Sequence, residues 1–286
     1  MNTSSMNEES NSASTQSFVP PAISFDESIE QLKNSSKNQI KELDYRQTKN
    51  LIFIMIATQQ LTDPVFLQTI LEEFPQLAKD SLSIEELKNL FVDISSISDT
   101  NKKDIQKLFK PDSKICLIHL YLFITKKKKF DIIKQLQFND NNPFFEDINI
   151  LEFYILLCLQ SYFLHFCDSN IFKYLYKPEY ITDTVKIYYC RMTDTDASIL
   201  ELIFSDNTEE KNRIVGEKEN WTYLHVLIWN SSWDGPDEKK IQYDCYKQLV
   251  TDENKKIKDY EGRTVFDLYK EIYSYKIDPS IESLLR

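Results

Sequence analysis

The chain has 286 residues, of which 42% are apolar and only three are glycine, and its formal net charge at pH 7 is −11. Glycine supplies the positive φ angles of phosphate-binding loops and tight hairpins, so this composition argues against a Rossmann fold, a P-loop protein and a many-turned β-sandwich. The acidic charge argues against nucleic-acid binding, which needs a clustered basic surface, and favours a protein partner with a basic or neutral surface.

The N-terminus and the cysteines both bear on the cellular compartment. Residues 1–24 are rich in serine, asparagine and threonine, and they lack the basic and apolar regions of a signal peptide. We expect a disordered leader there. The five cysteines are odd in number and form no Cys-x-x-Cys motif. Reduced, buried thiols in a cytoplasmic protein are therefore predicted.

From Asp26 onward, helix signals follow one another. Asp63-Pro64 and Asp278-Pro279 place an N-cap residue and a proline at helix starts, and Ser83 with Glu86 forms a capping box. The pattern predicts helices over residues 28–50, 65–74, 87–94, 99–109, 114–125, 130–138, 145–167, 171–176 and 181–190. No sequence period is evident in residues 25–190. The predicted fold class is all-α, with a helical N-terminal domain over residues 25–190.

One apolar segment, Ile148–Cys167, is long enough to span a membrane. Four polar side chains interrupt it, and each is costly in lipid. They are Asn149, Glu152, Gln160 and His165. A helix that is apolar nearly all round also suits the centre of a large helical domain. A buried central helix is therefore predicted, and a membrane-associated scaffold stays an alternative hypothesis.

Two segments in the C-terminal third share a pattern, Asn-Trp-Thr-Tyr-Leu-His from residue 220 and Gly-Arg-Thr-Val-Phe-Asp from residue 262. Both resemble the ankyrin-repeat signature. The residues that carry the resemblance are Asn220, Thr222, Leu224 and His225 in the first copy, and Asp259, Gly262, Thr264 and Phe266 in the second. Asn220 and Gly262 occupy a slot that needs a positive φ. The two threonines precede helices as caps, and Leu224 and Phe266 are expected to point into the stack.

The resemblance implies an ankyrin-like helical repeat region over residues 191–286, which must pack on the helices upstream because two repeats are too few to stand alone. The two copies lie 42 residues apart, whereas the ankyrin period is about 33. We assign the excess to an insertion loop at Ser231–Lys239. A second helix over residues 239–250 and an extended finger over residues 251–258 are expected to follow.

Protein binding is the function that the sequence favours. Tryptophan in a polar loop is enriched at interfaces, and acidic neighbours suit a basic partner. The candidate partner-binding residues are Trp229, Trp233, Asp234, Asp237 and Glu238. We expect no cofactor and no metal, because the histidines, His119, His165 and His225, lack a closed set of zinc ligands around them in the sequence. The oligomeric state is not indicated.

The polar leader, the scarcity of glycine and the degenerate repeats also resemble effectors injected by bacterial type IV secretion systems of the Dot/Icm type. This resemblance implies a place of action in a host cytosol. It also implies a host protein or a companion effector as the partner that is inhibited or regulated. An enzyme acting on a host component stays the alternative hypothesis, although the sequence contains no HExxH, GxSxG or P-loop pattern.

Overall fold

The computed structural model describes residues 25–91, 114–125, 128–137, 148–160, 167–193, 195–216, 219–230, 236–274 and 277–286. Within these ranges the chain is mostly helical, with two short antiparallel strand pairs, so the predicted all-α fold class is confirmed. The expected leader at residues 1–24 and the expected helix at residues 99–109 lie outside the described residues.

The described helices and strands are short. In chain order the helices are α1 (Phe25–Asn34), α2 (Lys37–Lys41), α3 (Tyr45–Ala57), α4 (Pro64–Glu73), α5 (Ile84–Phe91), α6 (Leu117–Ile124), α7 (Phe130–Ile133), α8 (Ile150–Gln160), α9 (Ser169–Leu175), α10 (Asp183–Cys190), α11 (Ala197–Phe204), α12 (Thr208–Asn212), α13 (Tyr223–Asn230), α14 (Pro236–Leu249), α15 (Val265–Ile272) and α16 (Pro279–Leu285). Strand β1 (Ser81–Ser83) pairs with β2 (Lys114–Cys116), and β3 (Ile214–Gly216) pairs with β4 (Trp221–Thr222).

Most of these helices form two rows in which successive members touch. In the first row, α3, α6, α8, α10, α13 and α15 contact one another in that order. In the second row, α2, α4, α7, α9, α11, α14 and α16 do the same. Helix α5 lies outside this order, because it contacts α3 and β1 while α3 contacts α6 directly. One hydrophobic core extends from Ile29 to Leu285, so the helices before and after residue 190 pack on the same core.

The helices of the first row begin at regular intervals over the middle of the chain. The residues directly before α6, α8 and α10 are Cys116, Asn149 and Thr182, and each follows the previous one by 33 residues. The residues directly before α13 and α15 are Thr222 and Thr264, and they follow after 40 and 42 residues. The interval is therefore constant upstream and longer where the sequence motif is visible.

The apolar segment at residues 148–167 forms helix α8 over Ile150–Gln160, and residues 161–166 lie outside the described ranges. Leu151 and Ile155 are fully buried, as a central helix requires. Glu152 is buried as well, and the hydroxyl of Thr182 donates a hydrogen bond to its carboxyl group at 3.3 Å. Among the helices that the structure describes, none combines the length and the apolar character needed to cross a membrane.

The prediction of one helix over residues 28–50 is wrong. The chain forms three helices there, because Ser36 and Asp44 each cap a new helix start. The Ser36 hydroxyl accepts a hydrogen bond from the backbone N–H of Gln39, whose carboxamide oxygen accepts one from the backbone N–H of Ser36. The Asp44 carboxylate accepts one from the backbone N–H of Gln47. Such caps satisfy N–H groups that a helix start leaves free.

Several helices start elsewhere than the sequence predicts, and α6 and α14 have a visible cause. Helix α6 begins at Leu117 rather than three residues earlier, because Lys114–Cys116 pairs with β1 as a strand. Helix α14 begins at Pro236 rather than at Lys239. A proline at the first helical position loses no hydrogen bond, since that position has no partner within the helix. The last four residues of the expected insertion loop are therefore helical.

The expected extended finger at residues 251–258 is also wrong, because it contains a 3₁₀ turn at Asn254–Lys256. The fully buried side chain of Asn254 causes this turn. Its oxygen accepts a hydrogen bond from the backbone N–H of Thr251 at 2.9 Å, and its amide group donates to the carbonyl of Leu249 at 2.8 Å. These bonds fold the segment back onto the end of α14.

The positive φ of Gly262, in the turn before α15, can be tested by substitution. Gly262 has a φ of +79°, and a Cβ atom there would meet no atom within 4 Å. We predict that Gly262→Ala lowers the free energy of unfolding by about 1–2 kcal/mol, the cost of a left-handed residue with a side chain. Urea denaturation measures this. Gly216→Ala is the matched control, since Gly216 has no positive φ. A Cβ there would approach the end of the Glu219 side chain at 3.0 Å and the Cβ atoms of Trp221 and Glu219 at 3.5 and 3.6 Å. Equal losses in both variants would contradict the prediction.

Candidate protein-binding surface

Two turns precede the last two helices of the first row, and both contain a residue with a positive φ. In the first turn, Asn220 has a φ of +56°, and its backbone N–H donates to the carbonyl of Gly216 at 2.7 Å. In the second turn, the N–H of Gly262 donates to the carbonyl of Asp259 at 3.0 Å. The sequence prediction that Asn220 and Gly262 occupy left-handed positions is confirmed.

Two hydrogen bonds join these turns to each other. The side-chain amide of Asn220 donates to the carbonyl of Lys258 at 2.5 Å. The backbone N–H of Tyr260 donates to the carbonyl of Glu219 at 3.0 Å. The spacing between the two helix starts is therefore set by contacts between backbone groups as well as by packing of the core.

Asp259 organises the second turn. Its side chain is fully buried, and it accepts hydrogen bonds from the backbone N–H groups of Glu261 and Arg263, each at 2.9 Å. The Nε atom of Arg263 donates to the same carboxylate at 2.8 Å. Burial alone would raise the pKa of Asp259, but the hydrogen bonds and the charge of Arg263 outweigh it, and the pKa lies below its usual value. Arg263 also pairs with Glu271 at 2.8 Å.

At the starts of α13 and α15, the side chain at the third helical position accepts a hydrogen bond from the backbone N–H of the residue directly before the helix. The Nδ1 atom of His225 accepts the backbone N–H of Thr222 at 3.2 Å and lies 2.9 Å from the Thr222 hydroxyl. Thr264 caps α15 as predicted, since its hydroxyl accepts the N–H of Asp267 at 3.2 Å. Burial lowers the pKa of His225 to about 4, against the opposing charge of Asp259. The His225 ring is therefore neutral at pH 7.

The apolar residues of the motif lie in the core. Leu224 is fully buried, and Phe266 is 9% exposed, so both point inward as the motif predicts. Leu227 and Tyr269 follow them at the next turn of their helices and are buried too. The large side chains at these positions are therefore accommodated within the packing between the two rows.

Two tryptophan side chains, one just before the cap of α13 and one near the end of that helix, pack against each other. Trp229, near the end of α13, is 50% exposed, and its ring packs against Trp221 with 5.5 Å between ring centroids and 48° between the ring planes. The Nε1 atom of Trp221 is buried and has no hydrogen-bond partner among the described groups. Tryptophan is one of the residues enriched among the hot spots at the centres of protein interfaces. We call Trp221 and Trp229 the tryptophan pair.

The positions that correspond to Trp221 and Trp229 on the next helix of the first row, α15, also contact each other. Trp221 comes one residue before the cap of α13, and Trp229 comes seven residues after it. The corresponding residues of α15 are Arg263 and Glu271, whose side chains form an ion pair at 2.8 Å. Helix α13 and the turn before it therefore present an aromatic surface at these positions, whereas α15 and the turn before it present a charged one.

The structure brings together only part of the predicted partner site. Trp233 and Asp234 lie outside the described residues, and Asp237 and Glu238 belong to the first turn of α14, whose backbone alone is described there. Trp229 contacts Trp221, which the sequence analysis did not place in the site. Its position directly before a cap, eight residues before Trp229, is the signal that could have identified it.

His119 holds the start of α6. His119 is buried, its Nδ1 atom accepts the backbone N–H of Cys116 at 3.3 Å, and burial lowers its pKa. His165 lies outside the described residues. Within the described ranges, no group of three or more histidine, cysteine, aspartate or glutamate side chains is placed to hold a metal ion.

Comparisons with known proteins add no assignment. No family model, no curated protein and no solved structure matches the chain. The resemblance to ankyrin repeats therefore rests on the residues of this chain alone.

The buried His225 predicts a pH-dependent stability. Its pKa is about 4 in the folded chain and about 6.5 when unfolded, so the unfolded state binds more protons between these values. Stability must then fall as the pH is lowered from about 6.5 towards 4, by on the order of 3 kcal/mol. His225→Asn keeps an acceptor near Nδ1 but does not titrate. In urea titrations between about pH 4.5 and pH 7, its stability should depend less on pH than that of the wild type, and identical slopes would refute this.

Proposed function

We propose that this chain is an ankyrin-like helical array that binds another protein, as an adaptor or as an inhibitor or regulator of that protein. The observation that carries the proposal is the half-exposed indole of Trp229 packed on Trp221. In protein interfaces a few residues supply most of the binding energy, and tryptophan is prominent among them. A large rigid ring held by a neighbour loses little conformational freedom when it is covered by a partner.

The spacing of the first-row helices supports the repeat part of the proposal. Cys116, Asn149 and Thr182 follow one another at 33 residues, and the ankyrin period is about 33. Two rows in which each helix touches the next are what stacked helix pairs produce. On this interpretation the array extends upstream into residues where the sequence alone displays no period.

The surroundings of the tryptophan pair suit a binding surface. Interfaces typically combine an apolar centre with a polar rim. Arg263 and Glu271 supply a charged neighbour at the equivalent positions of the next unit. Because the turns before both helices are hydrogen-bonded to each other, the aromatic and charged positions are held at a fixed separation. A surface that is already ordered binds at a smaller entropic cost.

The charge of the chain indicates the type of partner. With a formal net charge of −11, this molecule favours approach by a basic or neutral protein. Electrostatic attraction of this kind acts mainly on the association rate and weakens with salt. The resemblance to secreted effectors would place the partner in a host cytosol, as a host protein or a companion effector.

Trp229→Ala tests the surface, and Ile241→Ala is its matched control. Ile241 is 47% exposed on α14 in the second row, so both variants remove an exposed apolar side chain. Tagged wild type and both variants are used to purify partners from a host-cell lysate, with quantitative mass spectrometry. We expect a protein that the wild type and Ile241→Ala retain and Trp229→Ala loses.

A titration of the purified partner then measures the effect. We expect Trp229→Ala to raise the dissociation constant at least about 30-fold, which corresponds to about 2 kcal/mol. Binding should also shift the tryptophan emission of the wild type to shorter wavelength, because the exposed indole is covered. If every captured protein binds Trp229→Ala and the wild type equally well, the tryptophan pair is not the binding surface.

A further inference from the structure

A second surface feature lies far from the tryptophan pair along the chain, where α5 packs beside α3. The two helices and strand β1 line an open cleft of about 320 Å³. Helix α3 contributes side chains at spacings of three and four residues, and α5 does the same, so each helix turns one face to the cleft. The lining residues are Arg46, Lys49, Asn50, Leu82, Glu86, Asn89 and Leu90.

Two of the charged side chains are held in position by groups beside the cleft. The Nζ atom of Lys49 pairs with Asp80 at 3.1 Å and donates to the carbonyl of Ser81 at 3.0 Å. The Oε2 atom of Glu86 accepts the backbone N–H of Ser83 at 2.7 Å, as part of the capping box of α5. Lys49 is thereby paired with Asp80, although its charge still acts on Glu86, and Glu86 keeps its negative charge and its second oxygen for a ligand.

Three further polar side chains are not committed to other protein groups in the described part of the chain. They are those of Arg46 and Asn50 on α3 and of Asn89 on α5. A guanidinium offers several donors in a planar fork that matches a carboxylate, and each carboxamide offers donors and an acceptor. The cleft therefore has a cationic wall on α3 and an anionic wall on α5, with donors and acceptors on both.

This arrangement selects against ligands of a single charge. An anion drawn to Arg46 would be repelled by Glu86, and a cation drawn to Glu86 would be repelled by Arg46. The two side chains line the same cleft, and the charges of Lys49 and then of Arg46 add to the larger effects of the Ser83 hydrogen bonds in lowering the pKa of Glu86. A ligand that carries both charges a few bonds apart gains from both walls.

We propose that the cleft binds a free α-amino acid, with the ligand carboxylate on the guanidinium of Arg46 and the ligand ammonium on the free carboxylate oxygen of Glu86. Asn50 donates to the ligand carboxylate, and the carbonyl oxygen of Asn89 accepts from the ligand ammonium. Leu90, which is half-buried, offers an apolar surface to the ligand side chain. This site is independent of the protein-binding surface, since it uses none of the same residues.

The first experiment uses the full chain and the twenty L-amino acids, each at about 5 mM, with saturation-transfer NMR followed by calorimetry. We expect at least one amino acid to bind with a dissociation constant of about 1 mM or lower. For that amino acid, the carboxylic acid that lacks the amino group and the amine that lacks the carboxylate should each bind at least tenfold more weakly. Binding of no amino acid, or equal binding of either analogue, would overturn the proposal.

The second experiment uses variants that spare the fold. Arg46→Gln should weaken amino-acid binding at least tenfold. Glu86→Gln keeps the capping box, which accepts glutamine, and should remove the preference for the amino acid over its carboxylic acid analogue. Arg286→Gln is the control, since Arg286 is an exposed arginine directly after the last helix, paired with Glu282. Thermal melts verify that each variant folds. Unchanged binding by folded Arg46→Gln would overturn the proposal.

Discussion

The arrangement of the first row depends on how the backbone N–H groups at its helix starts are satisfied. A helix start leaves several N–H groups without partners, and these starts lie against the core. Buried side chains at the third helical position meet this need, as His119 and His225 do through their Nδ1 atoms. Such residues also interact with groups that precede the next helix of the first row: Glu152 bonds to Thr182, and the charge of Asp259 acts on His225. One set of polar groups therefore both starts the helices and links them.

Because the helix starts are fixed from within, the outward positions beside them are free to differ in chemistry. The tryptophan pair and the pair Arg263–Glu271 occupy equivalent positions on neighbouring helices, yet one is aromatic and the other ionic. Trp221 also packs on the core, and Arg263 also holds the buried Asp259, so both positions contribute to the framework as well as to the surface. One framework therefore presents different surfaces at equivalent positions.

Local signals in the sequence predicted local structure correctly. The caps Asp63 and Asp278, the capping box of α5 and the left-handed positions before α13 and α15 need only neighbouring residues, and all are observed. Contacts between distant segments were missed. Lys114–Cys116 becomes a strand because it meets β1, and Trp221 joins the surface because α13 brings Trp229 beside it. The 33-residue interval is not visible as a sequence repeat, because three different residue types, cysteine, asparagine and threonine, occupy the equivalent position before a helix.

The position of α5 outside both rows has a consequence for how this molecule can diverge. Ile84, Leu87 and Phe91 of α5 belong to the core, but its other residues can change without altering the direct contact between α3 and α6 that continues the first row. A helix placed outside the rows in this way can form a cleft, or lose it, without a change in the contacts between the helices of the rows. The exposed face of α5, which lines the proposed amino-acid cleft, is therefore the part of this region whose chemistry can change with the least effect on the two rows of helices.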